Sequence, residues 1–220
     1  MVMYDRLRTE LSQLKPKTPS EPPFEFSGGD LCLDFADTVN ERTTDHPIDL
    51  LSSYARLLQW GEESGAITKK TAERLRHLAQ QSEPEARSAL RKAVQLRDAL
   101  YDLFAALSLG DAVPGEALAT VNTTVRQASQ HAEIVQNQGT FRWQWINPES
   151  NLDAVLWPVS RAASDLLSSQ ELIYVRQCAA DDCAWLFVDK TKNHRRRWCD
   201  MKICGNRDKA RRYYHKKKAG

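Results

Sequence analysis

Residues 178–218 read CAADDCAWLFVDKTKNHRRRWCDMKICGNRDKARRYYHKKK. Four of the chain's five cysteines fall here: Cys178, Cys183, Cys199 and Cys204, in the pattern C-x4-C-x15-C-x4-C. Two close pairs separated by a short loop meet the needs of a tetrahedral thiolate site. Each tight turn offers two ligands, and the loop folds back to join the pairs. So short a segment cannot build a sizeable core, and structural zinc can supply folding free energy on the order of 10 kcal/mol. Four thiolates leave no position for water, so the expected ion is one structural Zn2+ per chain and not a catalytic one. The four-residue gap is longer than the commoner two-residue knuckle. Iron fits the same tetrahedral set. The metal-free alternative is four reduced cysteines, two of them buried beside Trp185, Phe187 and Trp198. His194 is a spare ligand that suits the basic loop better.

The charge is split along the chain. Cys178 to Gly220 carries 13 Lys and Arg against 5 Asp and Glu, a net of +8; Met1 to Gln177 carries 18 against 24, a net of −6. A mildly acidic body thus ends in a segment suited to a polyanion. Arg195, Arg196 and Arg197 form one cationic cluster. Arg207, Arg211, Arg212, Lys216 and Lys217 form another on a final helix. Gly205 is expected to release the chain at φ > 0 and Asn206 to cap that helix. Ala210, Tyr213 and Tyr214 can pack back on the metal module. Guanidinium forks match phosphate, and each neutralised phosphate releases counterions. Trp198, Tyr213, Tyr214 and His215 can stack on bases of a single strand.

Upstream, the spacing predicts a mainly helical body. Leu7, Leu11 and Leu14 suggest a short amphipathic helix. KPKTPSEPP (15–23) has four prolines in nine residues and reads as a linker. FEF (24–26) suggests a short strand. Asp30 caps a helix through LCLDFADTVN, and Asp49 caps a second carrying Leu50, Leu51, Tyr54, Leu57 and Leu58. Helices follow over 68–81, 85–109 and from Pro114 to about Gln130. AEIVQ and TFRWQWI alternate around a turn-like NQG, the mark of a β-hairpin with Trp143 and Trp145 on one face. A helix over 153–168 precedes a strand in ELIYVRQC. The expectation is an α+β chain: extension and linker 1–23, a mainly helical domain with a small hairpin 24–172, and a four-cysteine finger with a basic helix 173–220. Cys32 lies on an apolar helical face as a small core residue.

No stretch of about 18 apolar residues is present, and the N-terminus lacks an apolar signal core. A cytoplasmic location is expected, where thiols stay reduced. No Gly-rich phosphate loop, HExxH or G-x-S-x-G occurs, so neither an enzyme nor any catalytic residue is expected.

RRRWCDMKICGNRDKARRYYHKKK resembles the CGNR zinc finger, named for the residues standing here as Cys204-Gly205-Asn206-Arg207. FEFSGGDLCLDFADTVNER (24–42) resembles the opening of the ABATE domain, which precedes that finger in a bacterial family described as stress-induced transcription regulators. Where that family often has Asn-Thr, this chain has Asp37-Thr38. The resemblance implies zinc on Cys178, Cys183, Cys199 and Cys204, and a finger that contacts DNA. The leading reading is a zinc-dependent, DNA-binding transcription regulator. Its N-terminal domain would be a sensor, with Asp34, Asp37, Asn40 and Arg42 lining a ligand pocket or, alternatively, capping and pairing within the fold. An RNA-binding zinc module and a zinc-stabilised adaptor for an acidic protein are the other readings. Regulators often pair half-sites, which favours a homodimer; the sequence names no effector.

Overall fold

The computed structural model describes residues 21–219. The body is built from helices α1 (Leu31–Ala36), α2 (Tyr54–Glu63), α3 (Lys69–Gln81), α4 (Glu83–Leu109), α5 (Gly115–Ser129) and α6 (Leu156–Leu167). Three antiparallel pairs complete it: β1 (Val39–Asn40) with β2 (Ile48–Asp49), β3 (Ala132–Asn137) with β4 (Thr140–Trp145), and β5 (Val175–Gln177) with β6 (Leu186–Val188). The basic helix α7 (Asn206–Ala219) closes the chain. The architecture is therefore the expected α+β type, mainly helical with small sheet elements. Among the described residues no helix is long and apolar enough to cross a membrane.

The long helix α4 is the organising element. Ala89, Ala93, Leu96, Leu100, Leu103 and Phe104 recur at three- and four-residue steps and are buried, as one apolar helical stripe requires. Against them pack α1, α2, α5 and the first finger strand β5. Pro84 sits in the first turn of α4, where its missing N–H costs nothing. Gly110 ends the helix at φ +76°, and its N–H donates to the carbonyls of Ala106 and Leu107. α2 and α3 are capped by the hydroxyls of Ser53 and Thr68, which accept N–H groups three residues on. The hairpin has the register Ile134↔Trp143 and Asn137↔Thr140 around Gln138 and Gly139, both at positive φ. Trp143 and Trp145 share a face, in edge contact at 4.1 Å. Arg161 of α6 lies over Trp143.

Several boundaries differ from expectation. The first helix stops at Ala36 instead of running to Asn40, because Thr38 Oγ turns back to the Phe35 carbonyl and Val39–Asn40 pair with β2. Asp49 does not cap α2. Its carboxylate accepts Leu51 N–H and Arg97, which leaves the cap to Ser53. FEF forms no strand; Phe24 is buried beneath the Arg56 guanidinium. The strand expected in 171–178 shrinks to β5, preceded by a 3-10 turn over Gln170–Tyr174. The expected helix around Leu7–Leu14 lies outside the described residues.

Candidate metal centre and its cationic surround

Cys178 leaves β5 and donates its N–H to the Trp185 carbonyl at 2.7 Å, while Cys183 N–H reaches Ala180. The first pair thus sits on one closed knuckle. Cys199 and Cys204 lie on a second. There the Asp200 carboxylate caps a π-turn over Met201–Gly205 by accepting the N–H groups of Lys202 and Ile203, and α7 continues directly from it. This corrects the expected cap: Asp200, and not Asn206, begins the helical segment.

Gly205 is not at positive φ. A Cβ there would lie 2.5 Å from Met201 Sδ, the far end of a flexible and exposed side chain.

The four Sγ atoms lie within 4.8 Å of one another and all four cysteines are buried. Cys199 Sγ is 3.6 Å from both Cys183 Sγ and Cys204 Sγ. That is too long for a disulfide. It is close to the edge of about 3.8 Å that Zn–S bonds of about 2.3 Å give a tetrahedron. The geometry and the all-thiol donor set fit one structural zinc ion. Ala180, Trp185, Phe187 and half-buried Trp198 wall the cluster from solvent. Zinc with four thiolates carries a formal charge of −2, and Arg207 Nη2 stands 3.3 Å from Cys204 Sγ to offset it. His194 does not join the cluster: its ring stacks on Tyr174 and its Nδ1 faces the Asp189 carbonyl.

The finger is seated on the body through main-chain groups. Asp37, at 2% exposure, accepts the Leu186 N–H at 2.9 and 3.2 Å. Trp185 Nε1 donates to the Val39 carbonyl, Val188 N–H to that of Gly28, and Tyr101 Oη to that of Ala184. Val175, Leu186 and Val188 belong to the same buried cluster as Leu33, Leu96 and Leu100.

Residues 29–170 match the ABATE family model, described as "Putative stress-induced transcription regulator". The chain belongs to the ABATE family. The CGNR zinc finger model matches residues 174–217. No curated protein matches the chain.

In this ABATE protein the four residues expected to line a pocket do not converge on one cavity. Asp37 is spent on Leu186. Asp34 accepts the Gly28 N–H at 2.8 Å. Arg42 donates to the Ala36 carbonyl and lies 3.7 Å over the Tyr101 ring. Asn40 alone borders a small cleft beside Cys183 and Cys204. These residues form and flank the seam beneath the finger. A larger cavity, about 520 Å³, lies elsewhere, lined by Lys92, Gln127, His131, Asp153 and Trp157 among others. Its polar residues come from three separated segments, so no local motif announces it.

The seam carries two acids, buried Asp37 and half-buried Asp34, both raised in pKa by desolvation. Asp37 is held well above the usual carboxylate range despite the Leu186 N–H. Asp37→Asn keeps an acceptor for that N–H and removes the cost of ionising a buried acid, so stability is expected to hold or rise. Asp37→Ala strands the N–H and should cost about 1–3 kcal/mol in urea unfolding. Asp34 is raised to about 6. The folded chain then holds a proton that the unfolded chain releases. Its contribution is present in full at acid pH and fades as pH rises through 6. The advantage of Asp34→Asn over the parent should therefore grow between about pH 4 and 6 and level off above, in paired urea titrations.

The cationic residues divide by role. Arg195 and Arg197 are exposed. Arg196 points inward, over the Phe187 ring and against the carbonyls of Trp198, Cys199 and Ser27. Arg207 and Arg211 converge on Asp182, and Arg212 pairs with Asp208. Lys217 is exposed on the last turns of α7, which also carry Lys216. Tyr213 and Tyr214 do not pack back on the module; α7 leaves both exposed.

Asp182 and Asp189 escaped the sequence reading. Asp189 organises the basic loop by accepting the Thr191 N–H and hydroxyl and the Arg196 N–H. Its one local signal is an Asx-type turn in Asp-Lys-Thr.

Proposed function

We propose that this ABATE protein is a zinc-dependent, DNA-binding transcription regulator whose finger contacts DNA through a cationic ridge anchored on the metal centre. One observation carries this reading. Four of the finger's five acids have structural work, in ion pairs with Arg207, Arg211 and Arg212, in the Asp189 loop or at the Asp200 cap, and the exposed fifth, Asp181, lies 3.8 Å from Arg211. Lys192, Arg195, Arg197, Lys202, Lys209 and Lys217 are exposed and make no ion pair among the described residues. Such a surface is uncompensated positive charge on a rigid base, the electrostatic footprint of a phosphate-binding protein. The four thiolates close the metal's coordination shell, so the ion organises the ridge and supplies no chemistry. The body holds the finger in place and is not assigned a catalytic role.

Fluorescence anisotropy against a mixed-sequence duplex, across a salt series, tests the reading. Zinc-loaded protein should bind with a steep salt slope, and chelation should abolish binding. The Arg195→Ala/Arg197→Ala chain should lower the slope of log K against log salt by about 1.8, at 0.9 per lost phosphate contact, with zinc retained. Binding indifferent to zinc would reduce the segment to a generic polycation and sink the proposal.

A further inference from the structure

Between the basic loop and the second knuckle lies a slot of about 450 Å³, lined by Lys192, Arg195, Arg196, Arg197, Trp198 and Met201 among others. Its rim is cationic. Its walls are largely apolar: arginine stems, the Trp198 indole and the Met201 thioether. Met201 is 52% exposed, and the Arg197 guanidinium stands 5.1 Å from the Trp198 ring centre. Long cationic side chains lay apolar stems along such a surface while their heads stay in water.

The slot is preformed. Arg196 fixes one wall through its carbonyl bonds. Asp189, 1% exposed, ties down the loop that carries Lys192 and Arg195. His194, at φ +48°, pins the loop's tip by stacking 3.8 Å from Tyr174. The other wall is formed by Met201 and Trp198, which pack close to Gly205 on the second knuckle.

We infer that this slot receives an unpaired nucleobase within duplex DNA, with the flanking phosphates on Lys192, Arg195 and Arg197. The inference rests on the DNA-binding reading above. A paired base inside the helix offers only its edges, which are read by hydrogen-bonding groups. Apolar, aromatic walls instead match the face of a base, and cationic heads around them match the phosphates on either side. Stacking is tolerant of base identity, so the slot selects for unpairing and not for sequence. It is built from the loop between Cys183 and Cys199 and from Met201 on the turn between Cys199 and Cys204, which makes it as metal-dependent as the finger itself.

The test uses the zinc-loaded full chain and two probes: a perfect duplex, and the same duplex with one extrahelical 2-aminopurine. The bulged duplex should bind at least about tenfold more tightly, with quenching of the 2-aminopurine, in line with about 1–3 kcal/mol per stacked base. Met201→Ser and Trp198→Ala should each remove most of that preference and the quenching. Affinity for the perfect duplex should stay within about twofold, since the phosphate contacts remain. Bound zinc is measured for every variant. Should Trp198→Ala release metal, the exposed Met201 decides the matter alone. Equal binding of the two duplexes overturns the slot and leaves the DNA-binding reading intact. Failure to bind either duplex overturns both.

Discussion

Cys199→Ser is expected to release the zinc and to destabilise the helical body together with the finger. Cys199 contributes the Sγ that is 3.6 Å from two of the other three, and a hydroxyl is a poor zinc ligand beside three thiolates. Structural zinc contributes on the order of 10 kcal/mol, comparable with the whole net stability of an ordinary domain, about 5–15 kcal/mol. An independent finger would keep this loss to itself, as the sequence alone suggests. The contacts across the seam favour coupling instead. Leu186 and Val188 are buried among the body's own core side chains, and five of the body's residues make polar contacts to finger backbone or the Trp185 indole. Circular dichroism melts beside a zinc assay check this. The expected result is one transition at a markedly lower temperature. A helical melt unchanged in the zinc-free variant would show that the seam is energetically idle.

Arg196→Ala is expected to behave unlike the loss of its two neighbours. Its guanidinium holds three carbonyls and covers Phe187. Hydrogen bonds from a charged donor contribute about 1.5–3 kcal/mol, and a partly desolvated cation–π contact about 1–2 kcal/mol. A loss of about 3 kcal/mol follows, with weaker zinc retention, because one of the orphaned carbonyls belongs to a ligand residue. Its effect on DNA affinity should vanish when protein is saturated with zinc and held well below its melting temperature. Arg195→Ala/Arg197→Ala should show the reverse: normal stability and zinc, with lost affinity and a shallower salt slope. Replacing all three arginines together would merge the two effects. A stable, zinc-replete Arg196→Ala chain with reduced DNA binding would return Arg196 to the ridge.

The four cysteines were legible because metal ligation leaves a spacing that few other constraints produce. The Ser53 and Thr68 caps, the α4 stripe and the hairpin are equally local, each settled within one turn or one strand pair. The seam was not legible. Asp37 and Leu186 stand 149 residues apart, and the group that Asp37 binds is a peptide N–H, which every residue other than proline possesses. The dense polar and apolar mixture of residues 28–42 therefore reads equally well as a pocket wall or as a docking surface. Roles among the arginines were hidden for a similar reason. A count of charge treats Arg195, Arg196 and Arg207 alike. Only the placement of Asp182, Phe187 and the knuckle carbonyls separates the free cations from those already spent.

The bond between Asp37 and Leu186 also sets an order of events during synthesis. At translation rates of about 5–20 residues per second, the 149-residue step from Asp37 to Leu186 takes roughly 7–30 s. Through that interval the first helix has its carboxylate made and nothing to receive. Leu33 and Phe35 are on the nascent chain, but the strand that packs into their cluster has yet to be made. The later strand β6 thus closes the core that the earlier helix α1 opens, shortly before Cys199 and Cys204 complete the metal site. Cells short of zinc would then accumulate this protein as an unclosed nascent product that invites chaperones and proteases, in preference to a folded body lacking only its finger.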